Sequence, residues 1–138
     1  MARTHPLEHL EVVLIIGIGG FAGSNLRYFV DSVVPYSLLA TATVNFLGCM
    51  ALGFFLYEKL YTETISQPAR TVFSTGFISS FTTYSTFVID AITATPMIGL
   101  GYILGSYTLG FMGVLVGRSG ARRVTTGQYA TSGVSTDD

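Results

Sequence analysis

The sequence predicts an all-α membrane protein with four transmembrane helices, and three observations lead there. Of its 138 residues, 49% are hydrophobic and only 11% are Asp, Glu, Lys or Arg. Soluble domains carry roughly 25% charged residues, so too little charge is present to coat a water-facing surface. Four stretches are also long enough to cross a hydrocarbon core about 30 Å thick, which takes about 20 residues at 1.5 Å each. Finally, seven basic against eight acidic residues give a net charge of −1, which offers no footprint for nucleic acid.

The first span covers about residues 10–34. It is free of charge from Val12 through Leu26 and carries Arg27 and Asp31 towards its far end. Its Gly17, Gly19 and Ala22 fit a dinucleotide-binding G-x-G-x-x-A. That fingerprint needs an acid about 20 positions on, where the chain has only Ser37, Leu38, Leu39 and Ala40, so the glycines read as helix-packing positions. The second span, about 38–57, is uncharged and holds Asn45 at its middle, where an amide must find partners. Cys49, the single cysteine, excludes an intrachain disulfide framework and reads as a packing residue.

The third span, about 69–94, is the most polar, with Ser79, Ser80, Thr82, Thr83, Ser85 and Thr86 beside Tyr84 and Phe87. Polar groups at membrane depth belong in a protein core or along a cavity, so this span reads as a core helix or a broken one. The fourth, about 97–117, is uncharged. Pro35, Pro68 and Pro96 fall in or next to the connections, where a missing amide donor does least harm. Pairs of small residues four apart, Gly19 with Gly23, Gly101 with Gly105, Ser106 with Gly110 and Gly113 with Gly117, predict close helix approach. Residues 1–117 thus form one domain, and 118–138 read as a flexible polar tail.

Four spans put both termini and the middle loop on one side, together with Arg3, Lys59, Arg70, Arg118, Arg122 and Arg123, against Arg27 alone on the other. The positive-inside rule places that side in the cytoplasm. A charge such as Arg27 at membrane depth marks function or snorkels to the headgroups, and Asp31 lies one turn away to pair with it.

These residues resemble one family, the small four-span Fluc or CrcB fluoride channels. The pattern lies in Gly19, Gly20, Gly23, Arg27 and Tyr28, in Asn45 and Gly48, in Thr82-Thr83-Tyr84-Ser85-Thr86-Phe87, and in Tyr102 and Ser106. The resemblance implies a passive fluoride channel in the cell membrane that lowers fluoride toxicity, built as a dimer of antiparallel subunits around a central sodium ion. It further implies that Asn45 donates to fluoride and that Tyr84 and Phe87 supply aromatic edges. Ser85, Thr86, Tyr102 and Ser106 would form a polar track, with Arg27 near a vestibule and the carbonyls of Ser79 and Thr82 reaching sodium. The chain departs from the family in having Ser79-Ser80 for Gly-Gly and Tyr84 for Phe. Glycine permits left-handed backbone that serine resists, so Ser79-Ser80 bears on the geometry of the expected break and on the sodium site.

An antiparallel homodimer needs one sequence to insert both ways. The six-to-one charge bias instead predicts a homologous partner of opposite bias. The rivals are a proton-coupled small multidrug exporter and a non-transporting membrane scaffold. The exporter needs a carboxylate within the first span, where Glu11 stands only at the start, and the scaffold leaves the hydroxyl-rich third span without a purpose. No nucleophile or carboxylate-rich pocket suggests an enzyme.

Overall fold

The computed structural model describes residues 6–61 and 65–132, all of whose regular structure is helical. Helices α1 (Pro6–Val33), α2 (Ser37–Tyr61) and α6 (Pro96–Ser132) contain stretches long and apolar enough to cross a membrane, His9–Val33, Ser37–Leu60 and Pro96–Val124. The remaining expected span is built in pieces: α3 (Gln67–Arg70), a π-helical segment (Thr71–Ile78), α4 (Ser79–Phe81) and α5 (Ser85–Thr93). Residues 82–84 between α4 and α5 are not helical.

Helix boundaries follow local chemistry. The Val34 N–H closes α1 by bonding Val30 O at 2.9 Å, and Pro35 then supplies no amide donor to extend it. Pro96 opens α6, where its lack of a donor is harmless, and Thr95 O accepts the Gly99 N–H at 2.8 Å.

Glycine spacing becomes packing. The most extensive interface joins α2 to α6, where a Cβ on Gly113 would lie 2.8 Å from Phe46 O and one on Gly117 would strike Met50 O. α1 packs instead on the π segment and α4. There a Cβ on Gly19 would lie 2.6 Å from Val72 O, and Gly23 lies against Phe77 O. Backbones this close gain dispersion contacts, which drive helix association in lipid where the hydrophobic effect does not. Gly101 and Gly105, in contrast, meet nothing within 4 Å among the described residues.

At one end of the molecule Arg70 Nη2 bonds Glu58 Oε2 at 2.8 Å, and the Ile65 N–H donates to Glu58 Oε1 at 2.7 Å. This ties α3 to the end of α2.

Where a flexible tail from residue 118 was expected, α6 runs on as far as Ser132. Ala121 is 1% exposed and the Arg118 guanidinium lies over the Tyr57 ring, 5.8 Å from its centroid. The segment therefore has packing partners that its polar composition does not reveal. The expected tail residues 133–138 lie outside the described residues.

Candidate functional site

The break between α4 and α5 forms where Asn45 takes both backbone groups of one residue, Thr83. The Thr82 N–H makes the last bond of α4, to Ile78 O at 3.0 Å, and Thr82 then turns extended with φ −77° and ψ 161°. A continued helix would next join the Thr83 N–H to Ser79 O. That N–H goes instead to Asn45 Oδ1 on α2 at 2.9 Å, and Thr83 O accepts from Asn45 Nδ2 at 2.9 Å. The Thr83 hydroxyl oxygen accepts the Thr86 N–H at 3.2 Å, capping the first turn of α5, and donates to Thr86 Oγ1 at 3.0 Å. Ser85 Oγ lies 3.4 Å from the same oxygen.

Ser79 has φ −66° and ψ −26°, an ordinary right-handed conformation, and Ser80 lies within α4. Serine is thus accommodated at Ser79 without left-handed strain. Its hydroxyl donates back to Thr75 O.

A groove of about 400 Å³ opens where the break, α2, α5 and α6 meet. Of the expected pathway residues it brings together Asn45, Tyr84, Phe87 and Ser106, along with Thr82 from the expected cation set. No formal charge lines it. Phe87, 8% exposed, stands at the centre of an aromatic cluster. Its ring centroid is 5.3 Å from Tyr102, 5.8 Å from Tyr84 and 6.1 Å from Tyr107, the last edge-to-face at 85°. Aromatic edges carry the positive end of the ring quadrupole, so such a cluster offers an anion weak attraction without a cation.

The hydroxyls of Tyr102 and Ser106, one turn apart on α6, are buried; each lies close to the other, and Thr41 is close to Tyr102, yet neither makes a hydrogen bond of good geometry among the described residues. Buried hydroxyls this weakly engaged retain capacity to bond a water or ligand. Ser85 and Thr86 do not line the groove and are engaged with Thr83. Arg27 stands apart on α1, outside the groove. Among the described residues it makes no ion pair with Asp31.

Two residues at the site, Thr83 and Tyr107, and a third beside it, Asp90, escaped sequence reasoning. Thr83 stood in the hydroxyl run, but its role depends on Asn45 from another helix. Tyr107 lines the groove with Gly110, Phe111 and Val114; their spacing of three, one and three is that of one helix face, a signal present in the sequence. Asp90 is the sole acid in the third span, and an acid at that depth is a signal in itself.

Comparison with known proteins adds an independent finding. The family model described as "CrcB-like protein, Camphor Resistance (CrcB)" matches residues 14–118. The chain is 50% identical over 122 residues, 88% of its own length and 94% of the relative's, to "Fluoride-specific ion channel FluC 1" of Haloarcula marismortui. It is 42% identical over 104 residues, 75% of this chain and 74% of the relative, to a protein of the same name from Methanospirillum hungatei. To "Fluoride-specific ion channel FluC 2" of Methanosarcina mazei it is 37% identical over 114 residues, covering 83% and 90%.

Proposed function

The chain belongs to the CrcB family, and on that footing we propose that it is a passive, fluoride-selective channel of the cell membrane that drains cytoplasmic fluoride and so lowers its toxicity. It is a transporter and not an enzyme. The observation that carries this reading is the groove itself, which gathers Asn45, Tyr84, Phe87 and Ser106 without a formal charge. Fluoride is small and strongly hydrated, so replacing its water takes short, well-aimed donors and not a wide charged pore. Asn45 supports such a role. One N–H of its amide is bound to Thr83 O, and the second is unpaired among the described residues. HF crosses membranes neutral and ionises inside, so a passive conduit suffices to release the trapped anion down its gradient.

In this reading Asn45 donates to fluoride, Tyr84 and Phe87 present ring edges, and Ser85, Thr86, Tyr102 and Ser106 form the polar track, with Arg27 near the vestibule. Gln67 to Thr93 acts as the fourth crossing. A groove open on one side of a single chain calls for a second subunit, antiparallel to the first and surrounded by lipid. The face of α6 bearing Gly101 and Gly105 is free to receive it.

Sodium fits the break. Because the Thr83 N–H turns to Asn45, Ser79 O loses the donor that a continued helix would provide, and α4 ends with its last carbonyls unserved. Such half-helix ends are suited to a hard monovalent cation. Among the described residues no group of three His, Cys, Asp or Glu offers another donor set. The carbonyls of Ser79 and Thr82 are the proposed ligands, and the ion's part is to neutralise those oxygens where the subunits meet.

The test is fluoride efflux from proteoliposomes holding only the purified protein, with and without a co-expressed homologue. Rapid fluoride-selective efflux in either preparation is the expected result, and silence from folded protein in both overturns the reading.

A further inference from the structure

The two-point pairing of Asn45 with Thr83 does more than an anion donor needs. We propose that Asn45 and Thr83 form a positioning pair that sets anion selectivity by fixing the backbone at Thr83 between the half-helices, and with it the aim of Tyr84 and Phe87; the inference rests on the fluoride-channel reading. An amide that only donated to fluoride would need its NH2 group alone. Here the oxygen and one N–H of a planar amide engage the N–H and C=O of a single residue at 2.9 Å each. Two parallel bonds to one residue fix orientation as well as distance, as a bidentate pair does.

Thr83 carries that constraint into α5. Its hydroxyl accepts the Thr86 N–H at 3.2 Å, so one residue has both its backbone groups clamped and supplies the cap. Tyr84 follows it directly, and Phe87 comes one turn later against Tyr102. A change in the backbone angles at Thr83 therefore swings both rings together. Chloride is larger than fluoride and less strongly hydrated, so a site that admits one and not the other depends on geometry held to about 0.5 Å. Gly48 joins the same device, since it leaves room beside Thr82 for the turn to be made.

Thr83→Val keeps shape and loses the cap, Thr83→Ala loses cap and bulk, and Thr83→Ser keeps the hydroxyl. The readouts are the fluoride-to-chloride permeability ratio in proteoliposomes and hydrogen exchange across residues 82–88 in lipid. Thr83→Val and Thr83→Ala are expected to lower the ratio by about tenfold, the scale of one lost hydrogen bond, with faster exchange at Thr86. Thr83→Ser is expected to restore both, and Asn45→Ala to speed exchange at Thr83. Wild-type selectivity in folded Thr83→Val or Thr83→Ala, or unchanged exchange in Asn45→Ala, overturns the inference while leaving the channel reading intact. Wild-type protein that moves no fluoride with or without the homologue overturns the channel reading and the selectivity role together.

Discussion

The Thr41 hydroxyl donates to the buried Asp90 carboxylate at 2.8 Å, joining α2 to α5. Ser37 serves the other carboxylate oxygen at 2.7 Å. Asp90 is 7% exposed, and an ionised acid at that burial is tolerated only while its oxygens are bonded. Thr41→Val keeps the shape and removes one donor, so it is expected to cost about 1.5–3 kcal/mol, the range for a hydrogen bond to a charged group. In an Asp90→Asn background the same change should cost less, because no charge is then stranded. Thermal unfolding of the four proteins in detergent checks this, and equal losses in both backgrounds would show that Asp90 is not what Thr41 serves.

Gly48 lies where any Cβ would strike Cγ2 of Thr82, the residue that turns the chain out of α4. Gly48→Ala is expected to destabilise by about 1–3 kcal/mol, as overpacking does, and to disturb the break. The double variant Gly48→Ala, Thr82→Ser removes the offending methyl and should recover most of the loss. Size-exclusion profiles and melting temperatures distinguish the outcomes; a double variant no better than the single one would place the clash elsewhere.

Glu58 and Arg70 are 6% and 11% exposed in their side chains, and their bond at 2.8 Å ties the ends of α2 and α3 together. Breaking a buried pair from one side leaves its partner's charge without compensation, so Glu58→Ala should cost about 3 kcal/mol or more. The paired replacement Glu58→Leu, Arg70→Met removes both charges and is expected to be milder. A chemical denaturation series would refute this if the single change were the milder one.

Cys49 shares the groove with Asn45, one turn away on α2. A pathway filled by water admits a small charged methanethiosulfonate, whereas a lipid-covered surface does not, because the reagent requires an aqueous thiolate. Labelling should cut fluoride efflux by about tenfold or more, and Cys49→Ala should be immune. Efflux undiminished after mass spectrometry shows complete labelling would remove this groove from the conduction route.

What the sequence revealed divides along physical lines. Gly19, Gly23, Gly113 and Gly117 were legible as close-packing positions, because spacing on one helix suffices to place small residues on one face. Gly101 and Gly105 have the same spacing and meet nothing within the chain, since a pattern does not name its partner. The run from Ser79 to Thr86 marked an unusual span, yet the break falls at residues 82–84 because Asn45, 38 positions from Thr83, captures the backbone N–H and C=O of that residue. Likewise α6 persists beyond Gly117, where Arg118 finds Tyr57, an inter-helix contact that composition cannot encode.

The charge distribution gives the last prediction. Arg3, Lys59, Arg70, Arg118, Arg122 and Arg123 fall on one side of the proposed topology and Arg27 on the other. Orientation follows the count of Lys and Arg near span ends and not net charge, so the pairing of Arg70 with Glu58 does not dilute the bias. A chain so biased should insert with both termini in the cytoplasm. An antiparallel dimer then requires a homologous subunit of opposite bias. A C-terminal reporter active only in the cytoplasm should report a single orientation, and fluoride resistance in a sensitive host should depend on the second gene. If the lone gene gave equal populations in both orientations together with full resistance, the chain would pair with itself, and the six basic residues would not be what decides its insertion.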